Sequence, residues 1–227
     1  MSCFKVSVLA SAAGIAMMAI LGLTSDARAD VVFTLGNNPQ PNENNIFFAT
    51  PETGTTINGQ VSQQNPIDVR FSTLTGQTLY QNAQGQADIQ AEPDPGTTLI
   101  TSLHIEVPGY TFQDFIMNPL NGIGDATVTA HAADGTFNYD LGNGQNYLTI
   151  TTINGETITS LDITMSCTNP DGTPVPSCTS PGFIEFKQPR ISDVAAAVTP
   201  APEPATLALF GTGLAGLGVL RRRRRRS

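Results

Sequence analysis

Through the middle of the chain, apolar and polar residues alternate with period two. Leu103, Ile105 and Val107 alternate with Ser102, His104 and Glu106. Phe137, Tyr139 and Leu141 share one face, and Leu148 and Ile150 another. Leu161, Ile163 and Met165 share a third, with Asp162 and Thr164 turned outward. Such alternation is the pattern of a half-buried antiparallel strand. Further strands are expected over residues 46–49, 67–73, 86–90, 99–107, 111–117 and 126–130. Asn-Gly or Asp-Gly pairs begin at Asn121, Asp134, Asn143, Asn154 and Asp171, with gaps of 13, 9, 11 and 17 residues. These dipeptides favour the positive-φ turns of hairpins, and that spacing suits a sandwich or barrel. No long stretch between residues 30 and 199 carries a 3.6-residue repeat. The pattern predicts an all-β fold, an antiparallel β-sandwich of jelly-roll type with about a dozen short strands. Residues 36–45 read as an Asn-rich loop, and 193–198 as a helical turn or a last strand that Pro200 stops.

The two ends follow a different pattern. Lys5 precedes a mostly apolar run over residues 6–23, and Ala27-Arg28-Ala29 forms an A-x-A site. These are the parts of a secretory signal peptide, and a cut after Ala29 leaves Asp30 as the first mature residue. Cys3 stands too early to be a lipoprotein cysteine. At the other end come Pro202, Glu203 and Pro204, an uncharged stretch over 205–220, and Arg221, Arg222, Arg223, Arg224, Arg225 and Arg226. The prolines fix φ and withhold N–H donors, so the triplet stays extended. The uncharged stretch has 16 residues, including Gly211, Gly213, Gly216 and Gly218. As a helix it is about 24 Å long against a hydrocarbon core of about 30 Å. That suits a span held until processing better than a permanent anchor, with arginine snorkelling covering part of the mismatch. Lys5 and the arginines flank the two apolar segments on their outer sides, so both ends prefer the cytoplasm and the middle lies across the membrane. The expected organisation is a signal peptide (1–29), a β-sandwich domain (30–198), a linker with the triplet (199–204), a transmembrane helix (205–220) and a basic cytoplasmic tail (221–227).

The triplet, apolar span and arginine run, in this order at the C-terminus, resemble the PEP-CTERM sorting signal of Gram-negative bacteria. The resemblance implies an exosortase that recognises Pro202, Glu203 and Pro204, cuts nearby, and releases or transfers the mature protein. The A-x-A site makes signal peptidase a second expected processing partner, and the short span makes the inner membrane a transient one. The resemblance covers about 25 residues and gives an address, not a molecular role. A second stretch, residues 137–161 followed by 182–192, looks like the β-sandwich core common in PEP-CTERM proteins. It runs through an Asn-Gly-Gln-Asn stretch and a late F-x-x-x-K-Q-x-R-I strand, and no catalytic residues travel with it.

Charge sharpens the picture of the exported part. Residues 30–202 hold three basic residues, Arg70, Lys187 and Arg190, against 17 acids, a net charge of −14. A surface this acidic is repelled by nucleic acid and anionic membranes. The arginine run beside an apolar span is therefore a membrane flank, not a nucleic-acid patch. Gly211, Gly213 and Gly216 match a dinucleotide fingerprint, but no strand precedes them and no acid follows about 20 residues on. Cys167 and Cys178 bracket ten residues with three prolines, and in an oxidising compartment they read as a disulfide.

Candidate chemistry is sparse. His104 and Glu106 lie two apart on the polar face of one strand, and His131 follows another. A pair so spaced can serve a metal or acid–base site, though a polar strand face is the simpler reading. Asp88, Glu92 and Asp94 cluster around two prolines, as a calcium site or a solvated turn would. No cofactor is expected, and Ca²⁺ is the one ion this cluster leaves open. The chain has no Trp, and Tyr80, Tyr110, Tyr139 and Tyr147 are the aromatic surfaces left for stacking a sugar. The leading expectation is an exported, non-enzymatic surface or extracellular-matrix protein. The alternatives are a carbohydrate- or calcium-binding jelly roll, with extracellular polysaccharide as partner, and a secreted hydrolase. No catalytic residue and no metal ligand is assigned.

Overall fold

The computed structural model describes residues 30–61, 66–81, 85–142 and 147–197. Every regular element among them is a strand. The first are β1 (Asp30–Leu35), β2 (Asn44–Asn45), β3 (Phe47–Phe48), β4 (Glu52–Gly54), β5 (Thr56–Gln60) and β6 (Asp68–Ser72). Then come β7 (Leu79–Gln81), β8 (Gly85–Gln86), β9 (Asp88–Ala91), β10 (Ser102–Glu106), β11 (Tyr110–Thr111), β12 (Asp114–Met117) and β13 (Pro119–Leu120). The last are β14 (Asp125–Ala132), β15 (Gly135–Asp140), β16 (Leu148–Ile153), β17 (Ile158–Ser166), β18 (Glu185–Lys187), β19 (Arg190–Ser192) and β20 (Ala195–Ala196). The signal segment, the sorting triplet, the apolar span and the arginines lie outside the described residues.

All strand pairings are antiparallel. The largest sheet has the order β15-β14-β17-β10-β6-β5-β3-β8. Two five-stranded sheets run β1-β16-β12-β19-β2 and β13-β18-β9-β7-β4, and β11 pairs with β20. The two smaller sheets are joined by a double crossing. β12 passes into β13 at Asn118, and beside it β18 passes into β19 at Gln188, whose φ is 53°. The Lys187 N–H donates to the Asn118 carbonyl at 3.0 Å, and the Gln188 N–H to that of Ala87 at 2.9 Å. The late strand singled out in the sequence is thus the one that switches sheets.

The alternation seen in the sequence aims one face of each strand at a shared core. Across the large sheet Leu103 lies opposite Ile163, and Ile163 opposite Val128. Ile105 lies between Leu161 and Phe71. All six are fully buried. Phe186 joins the sheets: its ring lies 6.3 Å from Phe71 and 6.2 Å from Phe183. Gly59 faces the same core, and a Cβ there would stand 2.6 Å from Ile46 Cγ2 and 3.3 Å from the Phe48 ring. The absence of a side chain lets β3 close on β5. At the open edges, Phe33 of β1 stacks on Tyr139 of β15 at 5.2 Å and ties two sheets together.

The Asn-Gly and Asp-Gly pairs behave less uniformly than expected. Asp134-Gly135 closes the β14–β15 hairpin. Asn154-Gly155 has the positive φ values such a pair favours, 56° and 83°, but β16 and β17 belong to different sheets. The dipeptide specifies a reversal of the backbone. Which sheet the next strand joins is set by its apolar face. Asp171-Gly172 turns within the segment closed by the disulfide, and Asn143-Gly144 lies outside the described residues.

Phe186→Ala leaves a void where three rings meet. It is expected to cost about 3–5 kcal/mol and to lower the melting temperature of the exported protein by roughly 10 °C. A melting temperature within a degree or two of wild type would contradict the shared core.

Candidate functional site

Three neighbouring strands of the large sheet carry a polar cluster on its outer face. β10 supplies His104 and Glu106, β17 supplies Asp162 and β14 supplies His131. Their outward direction follows from the inward direction of Leu103, Ile105, Leu161, Ile163 and Ala130 between them. Register places His104 opposite Asp162 on one side; on the other Thr129 is opposite, and His131 stands two residues along on the same face. His104 Nδ1 lies 2.6 Å from Asp162 Oδ1, and His131 Nε2 lies 2.8 Å from Asp162 Oδ2. An ionised carboxylate only accepts, so each of these nitrogens carries the proton. The other ring nitrogen of His104, Nε2, lies 3.9 Å from Glu106 Oε2. The far oxygen of Glu106 accepts from Arg70 at 2.9 Å.

This geometry clamps a carboxylate. The two imidazoles meet opposite oxygens of Asp162, not a common point. Among the described residues no group of three or more His, Cys, Asp or Glu is arranged to hold a metal ion. The cluster links three strands across one face through hydrogen bonds between two imidazole rings and a carboxylate. The sequence pointed to His104 with Glu106. It missed Asp162 as the partner of both histidines, because register between strands far apart in sequence is not written in either strand.

A second polar feature was also missed. Asp125 opens β14, Asp140 ends β15, and the two carboxyl groups hydrogen-bond each other. Asp125 is 4% exposed. Burial first, then the hydrogen bond and charge of Asp140, push its pKa from 3.8 to about 6. Asp140 also accepts from the Gly142 N–H at 3.0 Å. The adjoining Gly124 has φ +97°, and a Cβ there would stand 2.5 Å from the Ser166 carbonyl oxygen and 3.3 Å from Cys178 Sγ. The acid pair and the disulfide therefore pack at one end of the body.

The other candidates fall in separate places. Cys167 and Cys178 form the disulfide the sequence predicted, with an S–S distance of 2.02 Å. Asp88 lies 3.6 Å from Lys187, whose nearer partner is Glu185 at 2.7 Å. The Asp94 carbonyl accepts from the N–H groups of Thr97 and Thr98, so that segment closes on itself as a turn. Tyr80 lies on β7, Tyr110 on β11 and Tyr139 on β15, while the Tyr147 hydroxyl donates to Gln188 at 3.2 Å. Three of the tyrosines thus stand on separate strands, and Tyr147 just precedes β16. Arg190 donates to Glu43 at 2.8 Å and also to Asn37. It pins the Asn-rich loop against the outer side of β19. Asp30 begins β1, opposite Ile153.

The raised pKa of Asp125 sets a direction for pH dependence. Its contribution to stability is fully present below about pH 4 and is lost as pH rises through about 6. Asp125→Asn keeps the shape and removes the charge. Thermal melts are expected to show the variant more stable than wild type at pH 7.5, with the gap closing as pH falls toward 4. A variant less stable than wild type at pH 7.5 would contradict the shared proton.

Compared with known proteins, residues 200–225 match the family described as the PEP-CTERM protein-sorting motif. No curated protein and no solved structure matches the chain. The match falls on the triplet, the apolar span and the arginines that stand out in the sequence, so the chain carries a PEP-CTERM sorting motif at its C-terminus.

Proposed function

We propose that this is an exported, non-enzymatic protein of the cell surface or extracellular matrix, delivered by the PEP-CTERM route. Its exported part is a single acidic β-sandwich of jelly-roll type. One observation carries the reading. The sorting motif begins at residue 200, just after an all-β body whose last strand ends at Ala196. In this reading signal peptidase cuts after Ala29, and the new N-terminus opens β1 at its pairing with Ile153. Residues 205–220 hold the chain in the inner membrane while an exosortase reads Pro202, Glu203 and Pro204. Arg221 to Arg226 keep the end of the span on the cytoplasmic side.

The charges support presentation in a wet, polymer-rich environment. The three basic residues of the exported part are each paired with acids: Arg70 with Glu106, Lys187 with Glu185 and Asp88, and Arg190 with Glu43. The exposed carboxylates give a hydrated, like-charged surface that resists self-association. The polar cluster on the large sheet suits a structural role, since each imidazole is bonded to Asp162 and not to a hydroxyl or thiol.

Replacing Pro202, Glu203 and Pro204 together by alanine tests the route. The wild-type exported protein is expected to lack the C-terminal segment by intact-mass spectrometry. The triple variant is expected in the inner-membrane fraction with its chain intact to Ser227. Export and trimming of the variant at wild-type levels would sink the proposal.

A further inference from the structure

The strand register places both ends of the body on the same side. β1 starts with Asp30 opposite Ile153, the last residue of β16. From there the chain turns through Asn154-Gly155 into β17 at Ile158, and Ile158 bridges Phe112. Two residues before Phe112, β11 pairs with the final strand β20. The Ala197 N–H then donates to the Gly109 carbonyl at 3.0 Å. Asp30 and Ala197 therefore both leave from the Ile153–Ile158 corner. The Asp134-Gly135 hairpin tip lies on that side too, because Ala132 pairs with Ile158. The opposite side holds Leu35, Met117, Asp125, Asp140 and the Cys167–Cys178 disulfide, next to Ser166 at the far end of β17.

Chain length then limits how far this corner can stand from a bilayer. From Ala197 to Ala205, the first residue of the apolar span, is eight residues. Fully extended they reach at most about 29 Å. From the end of the N-terminal apolar run at Leu23 to Asp30 is seven residues, at most about 25 Å. The body itself is as long as β17, nine residues, or about 30 Å at strand rise. Either tether alone keeps the Ile153–Ile158 corner within about 29 Å of the membrane, and both can be engaged at once without unpairing β1 or β20.

We propose that this corner is the face turned to the lipid bilayer while the protein is tethered, and that the disulfide end is the presented tip. The proposal rests on the export reading above. The base comprises the Gly109–Thr111 segment, the Asp134-Gly135 tip, the Asn154-Gly155 turn and residues 195–197. Asp30, Asp134 and Asp193 are exposed on it. All three basic residues are engaged in ion pairs. The base faces anionic headgroups without adhering to them, so the linker sets its height. The tip, with the Cys167–Cys178 segment and the Asp125–Asp140 pair, stands about one strand length further out.

The test uses the full chain in a Cys3→Ser background, reconstituted into phosphatidylethanolamine–phosphatidylglycerol vesicles with an energy acceptor on the headgroups. A single donor-labelled cysteine is placed at Asp134→Cys on the base or at Thr75→Cys. Thr75 is exposed and follows β6 on the tip side. The donor at 134 is expected to lose most of its emission to the membrane acceptor, and the donor at 75 to keep most of its own. Equal transfer from both, or stronger transfer from 75, in chains that float with the vesicles overturns the orientation alone. Chains that do not float with the vesicles at all overturn the tethering reading, and the orientation with it.

Discussion

The body depends on the paired crossing of strands at Asn118 and Gln188. Two neighbouring strands leave one sheet and enter another side by side, and their hydrogen-bonding groups must stay satisfied through the bend. The Lys187 N–H bonded to the Asn118 carbonyl, and the Gln188 N–H bonded to Ala87, supply that continuity. Because the strands cross together, Phe183 and Phe186 enter the core just before the bend and Ile191 just after it. The same bend aims Lys187 outward at Glu185 and Asp88, and Arg190 outward at Glu43. A single structural event thus seals the core and places two of the three cations of the exported part.

Scarce positive charge explains much of the polar architecture. The Arg70–Glu106 pair is largely exposed, and such pairs contribute about 0–1 kcal/mol. Arg190 and Glu43 are more enclosed, with side-chain exposures of 18% and 12%. Removing either leaves a charge in a half-dry site, which costs more than an open pair would. Where no cation is at hand, carboxylates take other donors. Asp162 takes two imidazoles, Asp114 takes the Ser192 hydroxyl at 2.5 Å, and Asp171 takes Thr173. Asp125 is buried beside another carboxylate, and burial first, then Asp140, raises its pKa.

Period-two alternation made the inner faces of β10 and β17 readable residue by residue, since a residue's direction in a strand is set by its parity alone. Phe137, Tyr139 and Leu141 likewise face inward from the β15 edge. β1 was not foreseen, because Val31, Val32 and Phe33 run on without alternation and nothing local says which of them faces in. The acid cluster around Asp88 read as one unit in sequence and separates in space, since Asp88 ends up beside Lys187 of a strand about a hundred residues on. Asp162 between two histidines, and Asp125 against Asp140, are products of register. Only the folded sheet brings those residues together.

The end of the body and the beginning of its address are separated by chemistry as well as by position. β20 pairs with β11 through ordinary amides, and Ala197 adds one more N–H to the ladder. Pro200, Pro202 and Pro204 carry no N–H at all. Each proline fixes φ and leaves no N–H on its own edge, so residues 200–204 are poor material for a further sheet pairing. The prolines leave the triplet to be read, and β20 in turn fixes where the tether begins. The body and its signal are thus kept distinct by the same residue type that gives the signal its identity.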